Sequence, residues 1–139
     1  MTLLERRRAL MAQIKRKSKN LFNAALVPTS AELTNNGDGS FSLKGGTWNR
    51  STLRTLKQLC PDLKVGDIAT LSGVSNGYKM IKLGTSAWSF GTSKSITQTM
   101  LDATVLFYAN EKVTENDIIT VKNIQIELGT VATEYEPYY

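Results

Sequence analysis

The side chains best suited to covalent chemistry in this chain are one cysteine, Cys60, and twelve scattered carboxylates, with no histidine to serve either. A thiol becomes a nucleophile when a neighbouring base or positive charge stabilises the thiolate, and Cys60 stands between Leu59 and Pro61, an apolar setting. As the lone cysteine it also has no internal disulfide partner. The missing histidine removes Ser-His-Asp and Cys-His arrangements and the usual zinc sites. Two carboxylates suffice for glycoside hydrolysis, but the Asp and Glu residues fall in turns and at strand ends with no motif that separates an acid from a nucleophile. The run Asn35-Asn-Gly-Asp-Gly39 carries oxygen ligands without the order of an EF-hand loop, so it reads as a turn. These residues imply no enzyme, no cofactor and no metal site, and they turn attention to binding.

Any binding surface has to be held by the elements that the apolar pattern predicts. From Leu21 onward that pattern is all-β. Residues 31–34 and 40–44 flank the Asn/Gly/Asp turn, whose residues supply the positive φ a hairpin needs. Further strands are expected at 67–72, 78–83, 87–90, 94–99, 103–108 and 118–128, separated by Gly-, Asn- or Asp-containing turns; short strands at this spacing predict a sandwich. Leu53, Leu56 and Leu59 stand three apart, which fits either a short helix or an irregular strand. The expected core is Leu71, Met80, Leu83, Ile96, Val105, Phe107, Ile119, Val121, Ile124, Ile126 and Leu128. After the alternating Ile124-Gln-Ile-Glu-Leu128, Gly129 breaks the strand, and Pro137 keeps the following tail extended, its tyrosines free to pack on the outside of a sheet.

Charge divides the chain. Through Asn20 there are seven basic residues (Arg6, Arg7, Arg8, Lys15, Arg16, Lys17, Lys19) against Glu5, while the remainder holds ten basic and eleven acidic, so the formal charge of +5 resides in the first segment. No Gly or Pro interrupts that segment, Thr2 and Glu5 have capping-box spacing, and Leu3, Leu10 and Ile14 fall on one side of a helix. The reading is a basic amphipathic helix over residues 2 to about 18, giving an arm (1–19) and a domain (20–139). Three roles stand open. The helix packs its apolar stripe on the domain or a sister copy; or it anchors in a larger assembly, with Leu3, Leu4, Leu10 and Ile14 in a partner groove and Arg6, Arg7 and Arg8 meeting carboxylates; or it binds nucleic acid, against which stands the absence of interleaved aromatics and of any DNA-reading motif. No apolar run approaches the ~18 residues of a membrane span, and no apolar core follows the charges of Met1 to Arg8 as a signal peptide would require. Membrane insertion is therefore not expected, and synthesis in the cytoplasm is.

The closing Asn123-Ile-Gln-Ile-Glu-Leu-Gly129 followed by Ala132-Thr-Glu-Tyr-Glu-Pro-Tyr138 resembles the end of jelly-roll modules in tail, baseplate and surface proteins of bacteriophages that infect Gram-positive bacteria, modules similar to carbohydrate-binding domains. Asn20-Leu-Phe-Asn23 resembles their opening, Asn36 to Ser42 their first hairpin, and Cys60 to Ser72 their strand entry, all in the expected order. The resemblance implies an antiparallel jelly-roll β-sandwich behind an N-terminal α-helical arm. It further implies a non-enzymatic virion protein, docked by the arm to a tail, baseplate or capsid and displaying the sandwich for adhesion to host-surface glycans. A homotrimer is expected, since edge strands of one sandwich can be covered by the next. The alternative is a capsid-decoration or head-fibre protein with no glycan binding.

Sugar-binding modules of this shape stack pyranose C–H groups on flat aromatic faces and take the hydroxyls with amides and carboxylates. By that resemblance the candidate ligand residues are Trp48, Tyr78 and Trp88, all in or beside turns, with Asn49, Asn76 and Gln98 as polar partners. Against it stands the commoner use of a sandwich Trp or Tyr as a core plug or subunit contact.

Overall fold

In the computed structural model, which describes residues 1–8, 18–111 and 113–139, the local turn chemistry of residues 35–40 builds the first hairpin. The Asn35 carboxamide accepts from Gly37 N (2.9 Å), Gly37 and Gly39 take φ of 80° and 87°, and the Asp38 carboxylate accepts from Ser40 N and Oγ. Strands β1 (Leu33–Asn35) and β2 (Phe41–Lys44) close antiparallel around it. Those two hydrogen bonds from Ser40 also hold the exposed Asp38 carboxyl below its usual range.

The leucines spaced three apart serve both halves of the alternative left open by the sequence. Strand β3 (Asn49–Thr55) runs to Thr55, and a one-turn helix α1 (Leu56–Leu59) follows, its capping box formed by Thr55 and Gln58. Leu56 and Leu59 are buried, whereas Leu53 sits at φ 59° in a register shift and is exposed. Then come β4 (Ile68–Ser75), β5 (Met80–Leu83), β6 (Ser86–Ser89) and β7 (Thr92–Ser95). The strand expected to continue to residue 99 ends at Ser95, because Thr97 Oγ1 accepts from Met100 N and starts helix α2 (Gln98–Asp102). Met100 and Leu101 of α2 are buried with Leu56 and Leu59 of α1 in one core. Strands β8 (Thr104–Tyr108) and β9 (Ile118–Leu128) complete the set.

Among the described residues nine strands form two antiparallel sheets, ordered β1-β2-β9-β4-β7 and β3-β8-β5-β6, and the chain is mostly β. The inner faces of the two sheets share one core, with Phe41 of β2 meeting Phe107 of β8 at a ring separation of 5.6 Å. Of the expected core, Met80 is only half-buried and Leu128, past the end of the covered region, is 60% exposed. The remaining nine positions are buried.

Strand β9 carries the least regular and most connected part of the fold. Asn123 takes φ 57° and adds one residue relative to β4, so the buried phase switches from Ile119 and Val121 to Ile124 and Ile126. Pairing with β2 ends at Val121, which leaves the polar backbone of β9 beyond it open on that side. Residues 20–22 fill the gap. Leu21 N donates to Ile126 O (2.8 Å); the Asn20 carboxamide donates to Ile124 O and Glu136 O and accepts from Ile126 N and Phe22 N, all at 3.0–3.2 Å. Those four bonds are the full capacity of a carboxamide, and Asn20 is buried.

The tail lies across the outer face of β9 as an extended segment, held mainly by polar bonds. Glu136 N donates to Gln125 Oε1 (2.8 Å), and Thr133 Oγ1 donates to Glu127 Oε1 (2.6 Å). Ser18 Oγ reaches Pro137 O at 2.7 Å and Lys19 Nζ reaches Thr133 Oγ1 at 2.8 Å, so Ser18 and Lys19 already belong to the packed unit. Ahead of them residues 3–8 are helical, with Thr2 Oγ1 accepting from Glu5 N at 3.1 Å. The expected continuation of that helix, with its apolar positions Leu10 and Ile14, lies outside the described residues.

Replacing Asn20 by Ala removes one side chain but orphans backbone groups at three places. Because each buried unpaired group costs about 1–3 kcal/mol, Asn20→Ala is expected to lower unfolding stability by about 2–4 kcal/mol, measured by urea denaturation. A loss below about 0.5 kcal/mol, the range of an ordinary surface substitution, would show that the clamp is dispensable.

Candidate functional site

The turn from Lys44 to Trp48 is fixed from beneath. Gly45 N donates to Asp117 O and Gly46 N to Val113 O, and a Cβ on Gly45 would lie 2.0 Å from Thr114 O, so only glycine permits this approach of two backbones. Arg50 ties the turn further: Nε donates to Lys44 O (2.7 Å), Nη2 to Gly45 O (2.6 Å), and the guanidinium meets Glu32 at 2.9 Å. The Tyr78 hydroxyl, reaching through the core, donates to Lys44 O and Thr47 O.

Trp48, the residue carried by this turn, is 52% exposed at the free edge of β3, and Ala109 N donates to its carbonyl at 2.8 Å. Across the sheet the pairing aligns Asn49, Tyr108, Met80 and Ser89 in one row. Their neighbours Phe107, Ile81 and Trp88 point into the core, so this row faces outward. Lys82 Nζ stands 4.7 Å from the centre of the Tyr108 ring, a cation–π contact that holds the tyrosine on the outer face. Next to this row a pocket of ≈ 400 Å³ opens at the sandwich rim, lined by Asn76, Lys79, Met80, Asn110, Glu111 and Asp117 among others. Carboxylate, amide and ammonium groups thus surround an apolar floor that adjoins the Tyr108 row through Met80. Such a setting suits a ligand that offers both hydroxyls and C–H faces.

Of the six candidate ligand residues, Asn49 lies on the row, Asn76 lies on the pocket wall, where its Oδ1 also accepts from Thr120 N, and Trp48 is exposed in the turn immediately before Asn49. Two have to be corrected. Tyr78 and Trp88 are 0% exposed and offer no ring face to a ligand; the Trp88 indole N–H donates to Thr92 O, closing the β6–β7 turn from inside. Their polar tips find backbone acceptors, which is what allows such large rings to fill the core. Gln98 is exposed on α2, bonded to Asp102, beyond the end of β8 opposite to Tyr108 and therefore away from this row. Tyr108 was missed, although the signal was present: alternation through 104–108 buries Val105 and Phe107 and so turns Tyr108 outward.

Cys60 is buried, and burial pushes its thiol far above the ordinary range. It caps α1 through its backbone N–H to Leu56 O. Among the described residues no three His, Cys, Asp or Glu side chains stand close enough to hold a metal ion, and no helix is long and apolar enough to cross a membrane. On the arm, Leu3 and Leu4 are 71% and 57% exposed, and Arg6, Arg7 and Arg8 are exposed beside them. Comparison of the chain with protein-family models, curated proteins and solved structures finds no match.

The two tryptophans should separate in a melt. Trp88→Ala is expected to cost about 3–5 kcal/mol as a core truncation, and Trp48→Ala less than about 1 kcal/mol; equal losses would contradict the assignment of Trp48 to the surface. The thiol gives a pH signature. Its pKa is raised in the fold, so the native state keeps a proton that the unfolded chain releases above about pH 8.5. Stability from Cys60 is complete below that value and falls as pH rises past it, by about 1.4 kcal/mol per pH unit. Urea midpoints of the native protein and of Cys60→Ala, compared at about pH 7 and about pH 9.5, should diverge in their pH dependence; parallel behaviour would show that the thiol is not shielded.

Proposed function

We propose that the chain is an accessory structural protein of a bacteriophage virion, docked to the particle by its N-terminal arm and presenting a jelly-roll sandwich whose rim contacts host-surface glycans. The observation that carries this reading is the strand order. From β2 onward successive strands change sheet except at the β5–β6 hairpin, giving the orders β2-β9-β4-β7 and β3-β8-β5-β6 with β1 added outside β2, an arrangement that supports the jelly-roll reading. The segments that carried the resemblance are also those that interlock: the Asn20 opening, the last strand and the Tyr-Glu-Pro-Tyr tail are joined by one set of hydrogen bonds. Trp48, Asn49, Tyr108 and the rim pocket supply the glycan-contacting surface, in place of the buried Tyr78 and Trp88. Weak single sites would gain strength from multiple copies.

The arm supports docking through its exposed Leu3 and Leu4 beside three arginines, a combination suited to an apolar groove bordered by carboxylates. A second reading, decoration without glycan binding, is favoured by a different observation. Trp48, just ahead of β3, and Leu53 on it are both more than half exposed, the outer edge of β3 pairs with no strand among the described residues, and an apolar free edge suits contact between copies in a trimer.

The test uses particles lacking this protein, incubated with the full chain or with residues 18–139, the shorter form keeping the Ser18 and Lys19 contacts to the tail. Attachment of the full chain alone is the expected result. Equal attachment of both forms would transfer docking to the sandwich and remove the anchoring role from the arm.

A further inference from the structure

A second depression on the molecule is distinct from the rim pocket. It is a cleft of ≈ 480 Å³ between the hairpin loop at 35–39, the short 3-10 turn at 24–26 and the tail at 135–138. Its volume falls within the roughly 300–1,000 Å³ of small-molecule sites. The walls are fixed by hydrogen bonds: Asn35 Nδ2 donates to Ala24 O and Val27 O, tying hairpin to turn, and the tail is held to β9 through Gln125. Gly39, at φ 87°, brings the hairpin backbone against the tail, since a side chain there would meet the Tyr135 hydroxyl at 3.3 Å.

The lining fits one class of ligand. Tyr135 and Tyr138 are half-buried and contribute the aromatic surface, with Phe22 and Pro137 beside them. Asp38 uses one carboxylate oxygen on Ser40, and its second oxygen has no partner among the described residues; nor has the Asn23 side-chain amide nitrogen, whose carbonyl caps the 3-10 turn. The walls include no Lys or Arg, which disfavours phosphate, sulfate and carboxylated sugars, and a single carboxylate, which is too little to hold a cation. What remains is a neutral, amphiphilic molecule with hydroxyls on its edge and C–H groups on its face.

We infer that this cleft is a second saccharide site, taking one neutral hexose or N-acetylhexosamine unit, with the unit against Tyr135 and Tyr138 and its hydroxyls on Asp38 and Asn23. The site stands independently of the rim pocket. Rim residues adjoin Ile119 on β9, whereas the tail wall is tied to Gln125, six residues further along and roughly 20 Å away at strand rise.

The test is an amide chemical-shift titration of the ¹⁵N-labelled full chain with glucose, galactose, rhamnose and N-acetylglucosamine up to tens of millimolar, the range where a single weak site saturates. For at least one sugar, shifts are expected at Asn23, Gly37, Gly39 and Tyr138. Asp38→Asn keeps the oxygen that binds Ser40 yet removes the free anionic acceptor, and Tyr138→Ala removes a stacking face; each is expected to weaken binding by about five- to tenfold. Trp48→Ala should leave the cleft affinity unchanged. Stationary cleft amides with every sugar would overturn the proposal, as would binding indifferent to both cleft variants. Shifts confined to Asn76, Asn110 and the Trp48 indole would overturn the cleft and leave the rim reading standing. Shifts confined to the cleft would support it and remove glycan binding from the rim.

Discussion

The buried carboxamide of Asn20 is the constraint on which most of the remaining structure depends. A bulge at Asn123 and the early end of β2 leave the second half of β9 without a partner on one side. Burying that edge unpaired would cost several orphaned backbone groups. Asn20 resolves this with one side chain by serving Ile124 O, Ile126 N, Phe22 N and Glu136 O together. The entry to the domain, its central strand and its tail are thereby fixed relative to one another. No aliphatic residue at position 20 could do this, and an aspartate would supply acceptors where two carbonyls require donors.

The tail follows from the same logic carried to side chains. Gln125 and Glu127 face away from the core, yet both are buried, because Thr133 and Glu136 lie over them. Read alone, their alternation with Ile124 and Ile126 describes a strand with one wet face. With the tail in place that face is a closed polar layer in which Gln125 Nε2 also donates to Glu127 (2.5 Å), and no buried polar side-chain atom among the described residues is left orphaned. The tail's tyrosines are spared from this packing. Tyr135 and Tyr138 turn to the hairpin, where they form a cleft instead of a core.

How much of this was legible in the sequence depends on whether the controlling interaction was local. The hairpin at 35–40 could be read because its requirement for positive φ is met by Gly37 and Gly39 within the turn itself. Most strands could be read from alternation, and the switch of phase in β9 could not, because nothing in the type of Asn123 distinguishes a bulge from an ordinary polar strand position. The strand expected over 94–99 overruns the start of the helix at 98–102, since one turn of helix is too short to show a period of 3.6. For the candidate site the split is similar. Trp48 sits in a Gly-Gly turn and is exposed; Tyr78 and Trp88 also sit near turns, but each can bury its ring because a carbonyl, that of distant Lys44 for Tyr78 and that of Thr92 across the β6–β7 turn for Trp88, receives its polar tip. Only the fold reveals that carbonyl.

The same burial determines how the surface is supported. Tyr78 does not present a face, yet its hydroxyl holds the turn that carries Trp48, while Gly45 and Gly46 join that turn to the 113–117 loop bordering the rim pocket. The exposed indole, the outward row at Tyr108 and the pocket therefore rest on a single braced corner of the sandwich. The arm enters at the other end of β9, where Ser18 meets Pro137 beside the tail. If the arm is what docks, the braced corner stands at the opposite end of β9 from where the chain enters the domain, and rigidity there has a physical use. A flexible corner would have to be ordered anew for each weak contact, whereas one fixed by backbone approach and buried hydroxyls presents its groups without that entropic cost.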